Sequence, residues 1–272
     1  MTAVDVDPAS AMVLRGDWGD RSVFLRFAVD YPSAIPLVAE VDGEVVGTGT
    51  GTANGSVGWV GGIFVDPGRR RSGIGTAITR LLIDRLTDAG CRSIVLVASD
   101  EGRRIYERLG FEVQTFYEMF ATLGVGLPGE PTGSSVADDE LAAMKALDSA
   151  ATGEDRAGLL SRFATPSTVR LAVTDSDGVA RVGGFAVRAP WGGWATIAPD
   201  AAAGLALLEA RRRATALENR VTTGLPLENE EGRSRLVAAG WTARYRATRM
   251  VLGDFPAWRP ESIWGQFGMA VG

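Results

Sequence analysis

Arg69-Arg70-Arg71-Ser72-Gly73-Ile74-Gly75-Thr76, RRRSGIGT, places three arginines directly ahead of a glycine-rich turn. Upstream, Ile63-Phe64-Val65 reads as the end of a strand. Downstream, apolar residues at Ile74, Ala77, Ile78, Leu81, Leu82, Leu86 and Ala89 fall at helical spacing, and Gly90 stops the pattern. The turn therefore joins a strand to the start of an amphipathic helix. Such a start has unpaired N–H groups and a partial positive charge. Glycines let a ligand's oxygens approach the backbone, and arginines add bidentate donors. The combination predicts a cradle for a phosphate or pyrophosphate. It is not a Walker loop, because no Gly-Lys-Ser/Thr follows. Nor is it G-x-G-x-x-G, because position 78 is Ile.

The rest of the chain narrows the ligand. The 272 residues carry 28 Lys plus Arg against 33 Asp plus Glu, a formal net charge of −5. An acidic chain is a poor general nucleic-acid binder, so the arginines are aimed at a small anion and no nucleic-acid partner is expected. There is no histidine and one cysteine, Cys91. That excludes Ser-His-Asp and Cys-His catalysis, and no metal site is expected. A single cysteine allows no intrachain disulfide and fits a reducing cytoplasm. MTAVDVDPAS has no apolar run, so a signal peptide is not expected, and no stretch approaches the ~20 apolar residues of a membrane helix. A homo-oligomer is compatible with the sequence.

Around the turn the elements read as mixed α/β. Residues 37–46 form a hairpin about Asp42-Gly43, and Asn54-Gly55 marks a second one before a strand at 57–65. Between them, Gly47-Thr48-Gly49-Thr50-Gly51-Thr52 puts glycines on one strand face and threonines on the other. It is either a flexible edge or a surface that a ligand or neighbour approaches closely. A helix at 73–89, a strand at 93–98, a short helix at 102–109 and a strand at 111–120 follow. Residues 122–139 are rich in Gly, Pro and Ser and read as a linker. Beyond it lie a helix at 138–151, strands at 169–174, 180–188 and 194–198, and a helix at 200–218. A strand at 220–225, a helix at 229–239 and a strand at 241–251 complete the series. Gly110-Phe111 recurs as Gly240-Trp241, and Glu101-Gly102-Arg103 as Glu231-Gly232-Arg233, at the same offset of 130 residues. A fixed-offset echo with the same element order indicates a duplicated unit.

Val65-Asp66-Pro67 with Arg70-Arg71-Ser72-Gly73-Ile74-Gly75 resembles the coenzyme A motif of the GNAT N-acetyltransferases, Gln/Arg-x-x-Gly-x-Gly/Ala between a strand and a helix. Ile105-Tyr106-Glu107-Arg108-Leu109-Gly110-Phe111 resembles that family's Tyr-Glu-x-Leu-Gly-Phe segment. The resemblance implies two tandem GNAT-like domains, each a mixed, largely antiparallel twisted sheet flanked by helices. The expected division is a catalytic domain at 1–122, a linker at 123–139 and a degenerate GNAT-like domain at 140–272. It implies acetyl-coenzyme A as cosubstrate. The backbone of Ile63, Phe64 and Val65 would meet the pantetheine arm, as an added strand pairs with a sheet edge. Arg70, Arg71, Ser72, Gly73, Ile74, Gly75 and Thr76 would hold the pyrophosphate. Tyr106 would protonate the departing thiolate.

The family often carries a carboxylate base on or near the strand before the motif, and residues 58–65 have none. Glu40 and Glu118 are the nearest alternatives, and each reads more simply as a solvated strand residue. In the second half, Ala198-Pro199-Asp200 stands where the cradle would be and Leu236 matches Tyr106, so that domain is expected to be non-catalytic. The tail aromatics Trp258 and Trp264 read as packing residues. Three functions compete. The first is an N-acetyltransferase acting on an amine of a small molecule or protein. The second is a non-catalytic acyl-coenzyme A sensor, and the third an interaction protein whose turn binds no cofactor.

Overall fold

The computed structural model describes residues 1–16, 18–127, 135–174 and 180–272. The chain folds into two compact units. The first comprises Met1–Gln114, Arg249–Phe255 and Met269–Gly272, and the second Thr115–Thr248 and Pro256–Gly268. This differs from a division in chain order at 122 and 140. Residues 115–122 group with the second unit, and the end of the last long strand and residues 269–272 group with the first. The start of the expected linker is bonded within the second unit, Gly124 N–H donating to the Asn219 carbonyl at 2.9 Å. Residues 128–134 of that linker lie outside the described residues.

The first unit begins with helices α1 (Val6–Leu14) and α2 (Ser22–Asp30), followed by β1 (Ala34–Val41), β2 (Glu44–Asn54), β3 (Val57–Val65), α3 (Ile74–Asp88), β4 (Ser93–Ala98) and α4 (Asp100–Arg108). β1, β2 and β3 pair antiparallel, and β4 adds parallel to β3. The first turn holds Asp42 and Gly43 at φ 52° and 79°, the left-handed pair that a tight hairpin needs. The glycine face of β2 lies under α3. A Cβ on Gly49 would stand 2.4 Å from Ile78 and 2.8 Å from Ile63, so the close neighbour is the helix. Thr48, Thr50 and Thr52 are buried on the other face. Ile78, Leu82 and Leu86 of α3 pack with Val60, Ile94, Leu96, Phe111 and Met250. Val251 joins Val57, Trp59 and Val95 in a second cluster. Residues 269–272 are tied in by Asn54 Nδ2, which donates to the Val271 carbonyl at 3.0 Å.

The second unit contains most of β5 (Glu112–Leu123), α5 (Asp138–Thr152), α6 (Ala157–Phe163), β6 (Val169–Thr174), β7 (Ala180–Arg188), β8 (Trp194–Ile197), α7 (Ala201–Arg213), β9 (Arg220–Pro226), α8 (Glu230–Ala238), much of β10 (Thr242–Gly253) and β11 (Ile263–Gly265). β6, β7, β8 and β11 form an antiparallel sheet in the order β11-β8-β7-β6, and β5 pairs antiparallel with β9. The 130-residue echo holds in atomic detail. The bounds of α4 and α8, and of β5 and β10, coincide at that offset. Ser99 caps α4 by accepting from Gly102 N–H, and Asn229 caps α8 by accepting from Gly232 N–H. Phe111 N–H donates to the Tyr106 carbonyl at 3.1 Å, and Trp241 N–H to that of Leu236 at 2.9 Å.

Candidate active site

The first unit opens where two parallel strands part. β3 and β4 are paired from Val57 with Ser93 to Val60 with Leu96. Beyond Val60, β3 continues through Gly61–Val65 with a partner strand only on its β2 side. Between Gly61, opposite Thr50, and Phe64, opposite Thr48, β3 carries one extra residue, a bulge with Gly62 at φ 61°. Thr48 fixes the bulge by donating its hydroxyl to the Gly62 carbonyl at 3.0 Å. The β4-facing edge of 61–65 is thus a length of strand without a strand beside it, the kind of edge an extended ligand can join.

The turn after β3 is held by its own side chains. Asp66 accepts from Gly68 N–H at 2.9 Å, and the Ser72 hydroxyl donates to the Arg69 carbonyl at 2.5 Å. Arg71 at φ 64° and Gly73 at φ 86° bracket Ser72 in left-handed conformation, which turns successive N–H groups toward one side. Gly73 precedes α3 without a side-chain cap, and the first turn has no acidic residue. Among the described residues, nothing in the chain accepts the N–H groups of Ile74, Gly75 and Thr76. The contrast with α4 and α8, both capped, is direct. A Cβ on Gly73 would meet no atom within 4 Å, so the space before the turn is open. Arg69, Arg70 and Arg71 are exposed around it, with Arg70 lying 5.9 Å over the Phe64 ring.

Tyr106 projects from α4 into the same cluster that Ile63 and Ile74 pack against. Its half-buried ring stands edge-on to Phe111 at 5.9 Å. Its hydroxyl has no hydrogen-bond partner among the described residues. Burial raises its pKa above the ordinary 10. Of the strand residues, Ile63 faces this cluster, whereas Phe64 is buried on the opposite face with Met12 and Val13. Sequence reading did not find Trp18, which is 45% exposed and edge-on to Phe64 at 5.3 Å. Nor did it find the bulge, although the Gly61-Gly62 pair within a strand was its signal.

The alternative bases separate. Glu40 is exposed on β1. Glu118 corrects the reading of a solvated residue: it is largely buried in the second unit and paired with Arg233 at 2.8 Å and Arg246 at 3.2 Å. Burial pushes its pKa up, but the hydrogen bonds and charges of those two arginines outweigh this and hold it below the ordinary value. Among the described residues no three His, Cys, Asp or Glu side chains gather where a metal ion could bind, and no helix is long and apolar enough to cross a membrane.

The second unit's counterpart is closed. The Asp200 carboxylate accepts from Ala203 N–H at 2.8 Å and caps α7. β8 and β9, the counterparts of β3 and β4, are not paired with each other. β11 runs antiparallel along β8 instead. Ala198 N–H donates to the Ser262 carbonyl at 3.0 Å. From the β9 side, Thr223 donates its hydroxyl to the Trp264 carbonyl, and Asn229 Nδ2 donates to the Ile263 carbonyl at 3.3 Å. A segment of the chain itself therefore lies where the first unit has an open strand edge. Leu236 is fully buried in that unit's core.

Residues 7–111 match the model of the acetyltransferase (GNAT) family. A structure from Pyrococcus horikoshii described as an acetyltransferase superposes with a TM-score of 0.80 at 19% identity, covering 100% of this chain and 94% of that one. A tandem GNAT protein from the clavulanic acid biosynthesis pathway superposes with a TM-score of 0.56 at 16% identity, covering 93% and 94%. An open strand edge running into an uncapped, arginine-flanked helix start thus lies within residues 7–111, the segment that matches the GNAT acetyltransferase family model.

Proposed function

We propose that this chain transfers the acetyl group of acetyl-coenzyme A to an amine of a small molecule or protein, with the first unit as the catalytic domain. The observation that carries the reading is the run from the free edge of 61–65 into the uncapped turn 70–76. An extended amide-bearing arm followed by a pyrophosphate matches those two features in order. Ile63, Phe64 and Val65 supply backbone groups to the arm. The N–H groups of Arg71 to Thr76, with Arg70 beside them, take the pyrophosphate. The amine nitrogen attacks the thioester carbonyl, and collapse of the tetrahedral intermediate breaks the carbon–sulfur bond. The thiolate takes the Tyr106 phenolic proton, and the proton leaving the amine passes to water and restores the phenol. The second unit is non-catalytic, since its helix start is capped and its strand gap filled. The reaction belongs in the cytoplasm, where the reducing conditions suit the lone cysteine.

The decisive test is the cradle. Gly75 lies inside the first turn of α3, where a Cβ would meet Val65 at 3.4 Å, an ordinary contact. Gly75→Asp adds a carboxylate there, which favours the helix but repels a pyrophosphate. Calorimetry with coenzyme A is expected to show at least roughly tenfold weaker binding with unchanged thermal melting. Unchanged affinity would place the cofactor elsewhere. The sensor reading rests on the lack of a carboxylate in β3. Thiol release over an amine panel separates it, because a sensor binds acetyl-coenzyme A and releases none.

A further inference from the structure

The second unit holds a cationic notch that its own fold does not neutralise. Arg211 lies in the last turn of α7 and is only 8% exposed. Its guanidinium lies over the Trp194 ring, 5.1 Å from the centroid. Its Nη1 donates to the Thr222 carbonyl at 2.9 Å. Trp194 is the cross-strand partner of Arg188, so both side chains leave the same face of the β7–β8 ladder. Among the described residues, neither arginine has a carboxylate partner, and Nε and Nη2 of Arg211 have no acceptor but keep contact with solvent.

Removing a guanidinium from water beside a second one is unfavourable unless an anion meets both. Burial, and then the Arg188 charge, lowers the Arg211 pKa to about 10. The helix C-terminus offsets part of this. It favours Arg212 and Arg213 equally, however, and does not account for the burial of Arg211 over an aromatic ring.

We infer that Arg188, Arg211 and Trp194 form a binding site for a phosphate-type dianion, distinct from the 70–76 cradle. The held Arg211 guanidinium and the exposed Arg188 beside it supply two positive charges, which a phosphate matches and a monocarboxylate does not. The inference does not depend on the proposed transfer reaction. The test uses the full chain carrying Gly75→Asp, so that the first unit's cradle does not contribute. Calorimetric titrations at matched ionic strength compare inorganic phosphate, O-phosphoserine and acetate. Saturable phosphate binding is expected, at least tenfold tighter than acetate. O-phosphoserine binding more tightly than phosphate would identify a phosphomonoester as the ligand, and the reverse order free phosphate. Arg188→Gln, at an exposed position, should weaken phosphate binding roughly tenfold or more, and Arg211→Met should abolish it. Absence of saturable phosphate binding, equal binding of acetate, or phosphate binding unchanged in Arg188→Gln would overturn the assignment, whether or not Arg211→Met folds.

Discussion

Burial raises the Tyr106 pKa above 10, so its phenol keeps its proton at neutral pH. Tyr106→Phe removes that proton and little packing, because the ring's contact with Phe111 remains. Turnover is expected to fall about 10²–10⁴-fold on a substrate for which chemistry limits the rate, with acetyl-coenzyme A affinity nearly unchanged. The sign of the shift fixes the pH profile. A group raised above 10 is half deprotonated only above that value, so Tyr106 contributes no descending limb to kcat with a midpoint below pH 10. A limb with a midpoint near 8 that vanishes in Tyr106→Phe would show that the shift is wrong. The turn at Gly73 and the short helix that carries Tyr106 were legible in the sequence because each lies in a short motif with its own glycine punctuation. Trp18 was not legible, because nothing in Gly16 to Asp20 announces that an indole will meet Phe64 from a residue 46 positions earlier in the chain. The role of Glu118 was also hidden, since its partners Arg233 and Arg246 lie more than a hundred residues away.

The paired carboxylate on β5 gives an element-scale expectation. Its folded pKa lies below the ordinary 4.5, so its stabilising effect is complete above that value and disappears as pH falls through the folded one. Glu118→Gln leaves Arg233 and Arg246 without an anion. Denaturation at pH 7 should show about 1–3 kcal/mol lost. The gap between mutant and native protein should narrow as pH falls below 4.5 and through the folded pKa, and a gap that does not narrow with acid would mean the loss is one of packing. The glycine face of β2 shows how far an element can be read alone. Alternation announced a close approach, but α3 as the approaching body follows only from the sheet. The helices at 6–14, 22–30 and 157–163 escaped sequence reading. Buried Phe24, Leu25, Phe27 and Ala28 do follow helical spacing. Yet Val23, Phe24 and Leu25 run together, and a contiguous apolar run reads equally well as a strand. Helix α7 stops at Arg213, short of the expected 218, and no glycine marked that end.

For the whole molecule, one coenzyme site per chain is expected. The second unit has Asp200 on the helix donors and β11 along the strand edge, so displacing one leaves the other in place. Titration with coenzyme A should give a stoichiometry near one, and a value near two would make both units active. The duplication was legible because a 130-residue echo in glycine, aromatic and cap survives in the letters. The exchange of segments was not, because β10 reads as one continuous strand and nothing in its sequence says that Arg249–Phe255 serves the first unit. Residues 1–122 produced alone should therefore expose β4 and lack Met250 and Val251 from two core clusters. Such a fragment is expected to aggregate rather than sediment as a folded monomer. The same exchange sets a timetable for synthesis. A nascent chain emerges at about 5–20 residues per second, and a domain contiguous in sequence can complete itself while the ribosome is still working. Here the first unit waits with a bare strand edge while some 130 further residues are translated, so its partly built sheet is the species a cell must shield, and a ribosome that stalls within the second unit forfeits the first as well.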